Sequence, residues 1–187
     1  MSEMITRLED TRIIYINGEI TAETAFRFNL ALLKMEQENS SEDIVVYINS
    51  PGGDVLAGLS MIDTMNLVSC DVSTVCVGLA ASMGAMILMS GEKGKRRMLE
   101  HSQVLIHQPM GNLGNQYMQA SDIEIAADNI KEMKKTLYDI IVGATGQTFK
   151  KVSNDCDRNY TLSAEKALEY HIVDEIIKKH DQRPDRM

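Results

Sequence analysis

Ser82 lies in a run of small residues, Gly78-Leu79-Ala80-Ala81-Ser82-Met83-Gly84-Ala85. A strand-like segment, Val72 to Val77, precedes it, and an apolar helix-like segment, Ala85 to Met89, follows it. A hydroxyl at a strand-to-helix turn is well placed for nucleophilic chemistry. Unpaired backbone N–H groups and the positive end of a helix dipole can there stabilise an anion developing beside it. Small residues equally serve close helix–sheet packing, so the serine needs partners before chemistry follows. Its hydroxyl is too weakly acidic to attack an amide without a base to take the proton and a third group to orient that base. Of the four histidines, His101, His107, His171 and His180, His107 is the best base. It closes the apolar run Val104-Leu105-Ile106 and precedes Gln108-Pro109, at a strand end where α/β sites form. His101 and His171 fall in polar hairpin- or helix-like settings, and His180 in the tail.

A second stretch, Tyr47-Ile48-Asn49-Ser50-Pro51-Gly52-Gly53-Asp54, pairs two glycines after a strand. Glycine permits positive φ and close backbone approach, so the Gly53 N–H can point at an oxygen. The Met83 N–H, next after the nucleophile, is a second donor, and the two together would make an oxyanion hole. Alone, Pro-Gly-Gly is an ordinary turn.

Alternating elements position these residues. Ile13 to Asn17 reads as a strand, and Thr21 to Thr24 supplies cap and capping-box candidates for a helix to about Glu38. Ile44 to Asn49 is a second strand, Val55 to Leu67 an amphipathic helix, and Val72 to Val77 a third strand. Strands alternating with helices indicate parallel βαβ units with right-handed crossovers. Arg96 to Glu100 and Gln103 to Ile106 predict short strands around a turn. After a Gly/Asn/Gln-rich stretch, Gly111 to Gln116, the longest helical pattern runs from about Ser121 to Val142. Its apolar residues spread beyond one stripe, so packing on two sides and a subunit contact are expected. Thr148 to Val152 and Ser163 to Glu169 predict short helices, Ile172 to Ile177 a last strand, and residues 178–187 a frayed polar tail.

Composition narrows the class. The 187 residues suit a single domain over the whole chain, since single domains commonly reach roughly 200 residues. With 44% hydrophobic residues the chain is globular. A net charge of −8 argues against nucleic acid or an anionic membrane as the main partner. The basic run Lys93 to Arg97 reads as a solvated hairpin. Three cysteines, none in a C-x-x-C pair or near a histidine at ligand spacing, predict neither a disulfide framework nor a zinc site. No signal-like core and no run near the roughly 20 apolar residues of a membrane span are present, so a soluble cytoplasmic protein is expected. No G-x-x-x-x-G-K-[ST] phosphate loop occurs.

The segments YINSPGG (47–53), DVSTVCVGLAASMGA (71–85), GEKGKRRML (91–99), LIHQPMG (105–111), DIEIAADNI (122–130) and LSAEKALEYHIVDEI (162–176) resemble, in order, the proteolytic subunit of the ATP-dependent Clp protease, the ClpP family. The resemblance implies an α/β, crotonase-like spiral of ββα units with a protruding handle helix, the handle region spanning about 108–145. It implies a serine endopeptidase working inside heptameric rings stacked as a tetradecamer. Carried onto this chain, it gives Ser82 as nucleophile, His107 as base, Asn159 as orienter, and Gly53 and Met83 as oxyanion donors. It gives Asp157 and Arg158 as ring–ring contacts, and Tyr47, Leu67 and Leu33 as the pocket for a Clp-family AAA+ unfoldase. No metal or organic cofactor is implied, and ATP is spent by the unfoldase, not by this chain. Unfolded polypeptide is the implied substrate.

Three departures matter. The stretch Asp155-Cys156-Asp157-Arg158-Asn159 ends in asparagine where the family pattern has the triad aspartate. Asparagine can accept a hydrogen bond from a histidine ring but cannot stabilise an imidazolium by charge; in one serine protease this replacement lowers turnover by about 10⁴. Weakened Ser-His-Asn catalysis is therefore expected. The chain also starts close to its first strand, which puts unfoldase docking in doubt, and the stretch after His107 is about three residues longer than the pattern. The alternative reading is a non-catalytic or regulatory ring subunit that assembles with an active paralogue. Acyl-CoA chemistry on the same fold would leave the Ser82–His107 pair without purpose, and a Ser-Lys membrane peptidase is disfavoured by the lack of a membrane segment.

Overall fold

The computed structural model describes residues 5–7, 11–110 and 119–178. Strand β1 (Ile5–Arg7) pairs antiparallel with β2 (Ile13–Asn17). Helix α1 (Ala22–Glu38) then leads to β3 (Ile44–Ser50), which is parallel to β2. Helix α2 (Val55–Leu67) leads to β4 (Val72–Ala81), parallel to β3, and helix α3 (Met83–Met89) follows. The repeated parallel crossover is the one the sequence predicts.

Local chemistry explains the boundaries. Thr21 caps α1 in a reciprocal capping box with Thr24, and Asp54 caps α2 by accepting from the Ala57 N–H at 2.7 Å. Helix α1 buries Thr24, Ala25, Phe28, Leu32 and Met35 at helical spacing, and β3 buries every second residue from Ile44 to Ser50. Helix α3 is buried along its whole length. It packs between α2 and α4 and against β4, so its N-terminus is held from several sides.

Strand β4 corrects the sequence reading. It does not stop at Val77 but continues to Ala81, changing neighbours on the way. Thr74–Cys76 pair with Arg96–Met98 of β5 (Arg96–Leu99), and Leu79–Ala81 pair with Gln103–Leu105 of β6 (Gln103–Ile106). Gly78 sits at the changeover with φ +86°. The buried Ser102 hydroxyl takes the polar groups left there, accepting from the Gly78 N–H (2.9 Å) and donating to the Cys76 carbonyl (3.1 Å).

The basic run is also corrected: it is no solvated hairpin. Arg96 is buried and clamps Asp174 through its Nε and Nη2 at 2.9 and 2.6 Å, Arg97 pairs with Glu175, and Lys95 bridges Asp43 and Asp71. Those carboxylates draw three remote segments onto the edge of β5.

Helix α4 (Ala120–Thr145) is longer than predicted. It buries only Leu137, Tyr138, Ile141 and Thr145, all in its C-terminal half, while Ile123 and Ile125 near its start are exposed. Helix α5 (Phe149–Asp155), strand β7 (Tyr160–Leu162), helix α6 (Ala164–Glu169) and strand β8 (Glu175–Ile177) complete the chain. Strand β7, which the pattern did not predict, pairs antiparallel with β6. Strand β8 is shorter than expected, because Ile172 and Val173 are core residues of the turn after α6 and the Asp174 N–H is taken by the Arg96 carbonyl. The Gly/Asn/Gln-rich stretch, its extra residues and the tail beyond Lys178 lie outside the described residues.

Candidate active site

Ser82 is the residue between β4 and α3, with φ 53° and ψ −122°. A non-glycine residue at positive φ is strained by about 1–3 kcal/mol and persists only where its surroundings over-determine it. Here they do. The Ser82 N–H donates to the Leu105 carbonyl at 2.8 Å, and its own carbonyl accepts from the Ala85 and Met86 N–H groups at 3.0 and 3.1 Å. The Oγ makes no capping bond to its helix, so it is not diverted from a substrate.

The bond to Leu105 also places His107 near Ser82. Ala81 is in register with Leu105, and His107 emerges two residues further along, just past the end of β6. The structure brings Ser82, His107, Gly53 and Met83 onto one pocket. Its remaining walls are Val55, Met86, Pro109, Met110 and Leu137, which sequence reasoning did not single out. Position signals existed for some of them: Val55 follows the Gly-Gly turn and Pro109 follows His107. Leu137 comes from α4, far along the chain, and gave none.

Two glycines make the close approach possible. A Cβ on Gly52 would stand 2.6 Å from the Ser82 Cβ and 2.7 Å from the Ala81 carbonyl, and Gly52 has φ +93°. A Cβ on Gly53 would overlap the Ile20 backbone. That backbone staples the turn. The Ile20 N–H donates to the Gly52 carbonyl, and the Asp54 N–H donates to the Ile20 carbonyl, both at 2.8 Å. The Ser50 hydroxyl adds a bond from the Gly52 N–H (3.1 Å) and one to the Gly18 carbonyl (2.6 Å). Among the described residues, no backbone acceptor takes the N–H of Gly53 or of Met83. Both are free to meet an oxygen in the pocket.

The third group is arranged differently. Asn159 is exposed and lines an adjoining cleft with His107, Gln108, Met110, Asp157 and Arg158. Among the described residues, neither the His107 ring nor the Asn159 amide makes a hydrogen bond. Catalytic contacts are often loose in a free enzyme and tighten with substrate. Just before Asn159 the chain is well anchored: Asp155 accepts from the Tyr170 hydroxyl (2.8 Å) and pairs with Lys151 (2.6 Å).

None of the cysteines competes as a nucleophile. Burial pushes the Cys76 thiol up to about 12, and burial with the nearby Asp155 charge does the same to Cys156. Cys70 is also raised, first by burial and then by its bond to Glu36. All three stay protonated at neutral pH. No cluster of three or more His, Cys, Asp or Glu side chains suited to a metal is present among the described residues, and none of their helices is long and apolar enough to cross a membrane.

The other predicted residues lie apart. Asp157 and Arg158 are exposed and turned toward each other, with the guanidinium donating to the Asp157 carbonyl at 2.8 Å. Leu33 on α1 and Leu67 at the end of α2 are exposed, and Tyr47 on β3 stacks on Tyr15 with ring centroids 6.0 Å apart.

Known proteins are similar to this chain over most of its length. The profile of the family described as Clp protease matches residues 1–180. The ATP-dependent Clp protease proteolytic subunit of Bacteroides fragilis is 46% identical over 177 residues, covering 95% of this chain and 84% of its own length. The ATP-dependent Clp protease proteolytic subunit 3 of Synechococcus sp. (strain CC9902) and proteolytic subunit 2 of Prochlorococcus marinus (strain NATL2A) are each 47% identical over 175 residues, 94% of this chain and 86% of their own.

Proposed function

The chain belongs to the Clp protease family and is a proteolytic subunit of the serine peptidase class; from that premise we propose that Ser82, His107 and Asn159 carry its peptide-bond hydrolysis. The Ser82 Oγ attacks the scissile carbonyl while His107 takes its proton. The tetrahedral oxyanion is held by the N–H groups of Gly53 and Met83. Collapse expels the amine, which receives the proton from His107 and leaves an acyl group on Ser82. A water deprotonated by His107 then releases the acid. With substrate bound, Asn159 would orient the ring by a neutral hydrogen bond that the free protein lacks, so the imidazolium gains no charge stabilisation and turnover is weakened. No step draws on a metal or organic cofactor.

The observation that supports this reading is the Ser82 N–H bond to Leu105, with Ser82 and His107 lining one pocket beside the Gly53 and Met83 N–H groups, which no backbone acceptor takes among the described residues. The proposed substrate is unfolded polypeptide entering heptameric rings stacked as a tetradecamer, fed by a Clp-family AAA+ unfoldase that spends the ATP. Tyr47, Leu67 and Leu33 are the proposed docking residues, Asp157 and Arg158 the proposed ring–ring contacts, and the cytoplasm the proposed setting. The test is reaction with a fluorophosphonate, read alongside hydrolysis of an unstructured peptide. Labelling and hydrolysis that both vanish in Ser82→Ala are expected.

The exposed Asn159 and its lack of a bond to His107 favour one second reading, a regulatory ring subunit that assembles with an active paralogue. Absence of labelling in both homomeric and mixed rings would select it.

A further inference from the structure

We propose that Gln108 and Lys134 are positioning residues that fix the His107 loop between helix α4 and the segment leading to Asn159; the inference rests on the catalytic reading of Ser82 and His107 above. Among the described residues His107 itself makes no bond that would hold its loop, whereas its neighbour Gln108 makes three. The Gln108 N–H donates to the Cys156 carbonyl at 2.7 Å. Its side-chain Nε2 donates to the Asp157 carbonyl at 2.9 Å, and its Oε1 accepts from Lys134 Nζ at 3.0 Å. The first two bonds tie the base's loop to the strand of chain that ends in Asn159. The third ties it to α4.

The residue types suit this work. A glutamine amide presents a donor and an acceptor on one rigid plane, so it can hold the Asp157 carbonyl and the lysine ammonium at once. Glutamate lacks the donor, and asparagine is a methylene too short. The bond from Lys134 is charge-assisted, and by polarising the amide it strengthens the N–H···O bond on the far side. Lys134 is itself half-buried, with its ammonium 5.4 Å above the Tyr138 ring, so it is confined. Leu137, three residues on and therefore on the same helix face, lines the Ser82 pocket. Helix α4 thus supports both the pocket wall and the base's loop. Its long exposed half lies outside the core, so whatever settles its position also settles that of His107.

The test is peptide hydrolysis by the assembled protein for wild type, Lys134→Met, Lys134→Arg, Gln108→Ala and the double variant Gln108→Ala/Lys134→Met, with thermal unfolding and oligomer size measured beside it. Loose placement of a catalytic group costs rate rather than binding, so Lys134→Met lowers kcat about 10-fold with KM little changed, and Gln108→Ala lowers it by about 10-fold to 100-fold. Lys134→Arg recovers most of the loss. The double variant is no worse than Gln108→Ala, because both act through one connection. Wild-type kcat in Lys134→Met, losses that multiply in the double variant, or a loss explained by dissociation of the oligomer would overturn the proposal. Ser82→Ala separates it from the reading beneath it. If Ser82→Ala hydrolyses as fast as wild type, or wild type does not react at all, the catalytic reading fails and takes this proposal with it. If Ser82→Ala is dead while Lys134→Met is fully active, only the positioning proposal fails.

Discussion

The Gly52–Gly53 turn and the Asp157–Asn159 segment border two clefts that share His107 and Met110, and they are built by different means. The turn is backbone against backbone, stapled to Ile20 and pressed onto Ser82 at distances that leave no room for a methyl group. The Asn159 segment is exposed, and a glutamine side chain, Gln108, holds its Asp157 carbonyl. Donors made of backbone N–H groups cannot be altered without moving the chain, so packing fixes them. A side-chain orienter on an exposed segment can change identity with little effect on the fold. Asn159 lies on such a segment, and the weakened catalysis proposed above is assigned to that exchange rather than to any change in the scaffold.

The largest expected effect comes from disturbing the packed side. Gly52→Ala places a methyl group on the Ser82 Cβ at a φ that alanine avoids, and should destabilise the fold by about 3 kcal/mol or more. Turnover should fall by about 10³-fold, as expected when an oxyanion donor is displaced. Denaturant unfolding and peptide hydrolysis measure the two effects. A fully active, stable Gly52→Ala would break the comparison.

A control for stability without chemistry lies at β5. Burial opposes ionisation of Asp174, but hydrogen bonds from the Arg96 side chain and backbone outweigh it and hold the carboxyl below its ordinary value. A carboxyl so depressed contributes stability above its ordinary value of about 4, and the contribution is lost as pH falls through its lower folded value. Arg96→Met should cost about 3 kcal/mol at neutral pH, since it strands a partly buried carboxylate. The gap to wild type should narrow below about pH 4, as Asp174 protonates in both proteins. At 25 °C kcat should be unchanged. A large fall in kcat would mean that the sheet edge and the site are not separable.

The smallest effect is a gain. His171 follows α6 in the left-handed region with φ 65°, where its N–H and that of Ile172 close the helix onto Leu168 and Ala167. His171→Gly removes a steric penalty of about 1–2 kcal/mol and adds unfolded-chain entropy worth about 0.4–1, for a net stabilisation of about 0.5–1 kcal/mol. Thermal unfolding reads it, and a loss of stability would contradict the geometry.

The packed side of the site was the legible one. Gly52 and Gly53 announce themselves because close backbone approach restricts residue type, Ser82 because it sits in a small-residue turn between strand and helix, Met83 because it follows Ser82, and His107 because it ends an apolar strand. The second half of β4 was not legible: Leu79-Ala80-Ala81 has no alternation, and its pairing with β6 depends on a partner change at Gly78. The role of the basic run was hidden because Asp43, Asp71 and Asp174 are distant in sequence from Lys95 and Arg96. Leu137 and Lys134 were readable as helix residues, but no local pattern says that α4 lays them against the pocket and the His107 loop.

The most direct test of the proposed contrast between a packed oxyanion side and a base side weakened by asparagine is kcat for peptide hydrolysis in Asn159→Asp, with Ser82→Ala/Asn159→Asp as the blank. Restoring a carboxylate should raise kcat by about 10²-fold or more, given that the reverse change has cost about 10⁴ elsewhere, while KM and thermal stability stay near wild type. An unchanged kcat in Asn159→Asp would contradict the account.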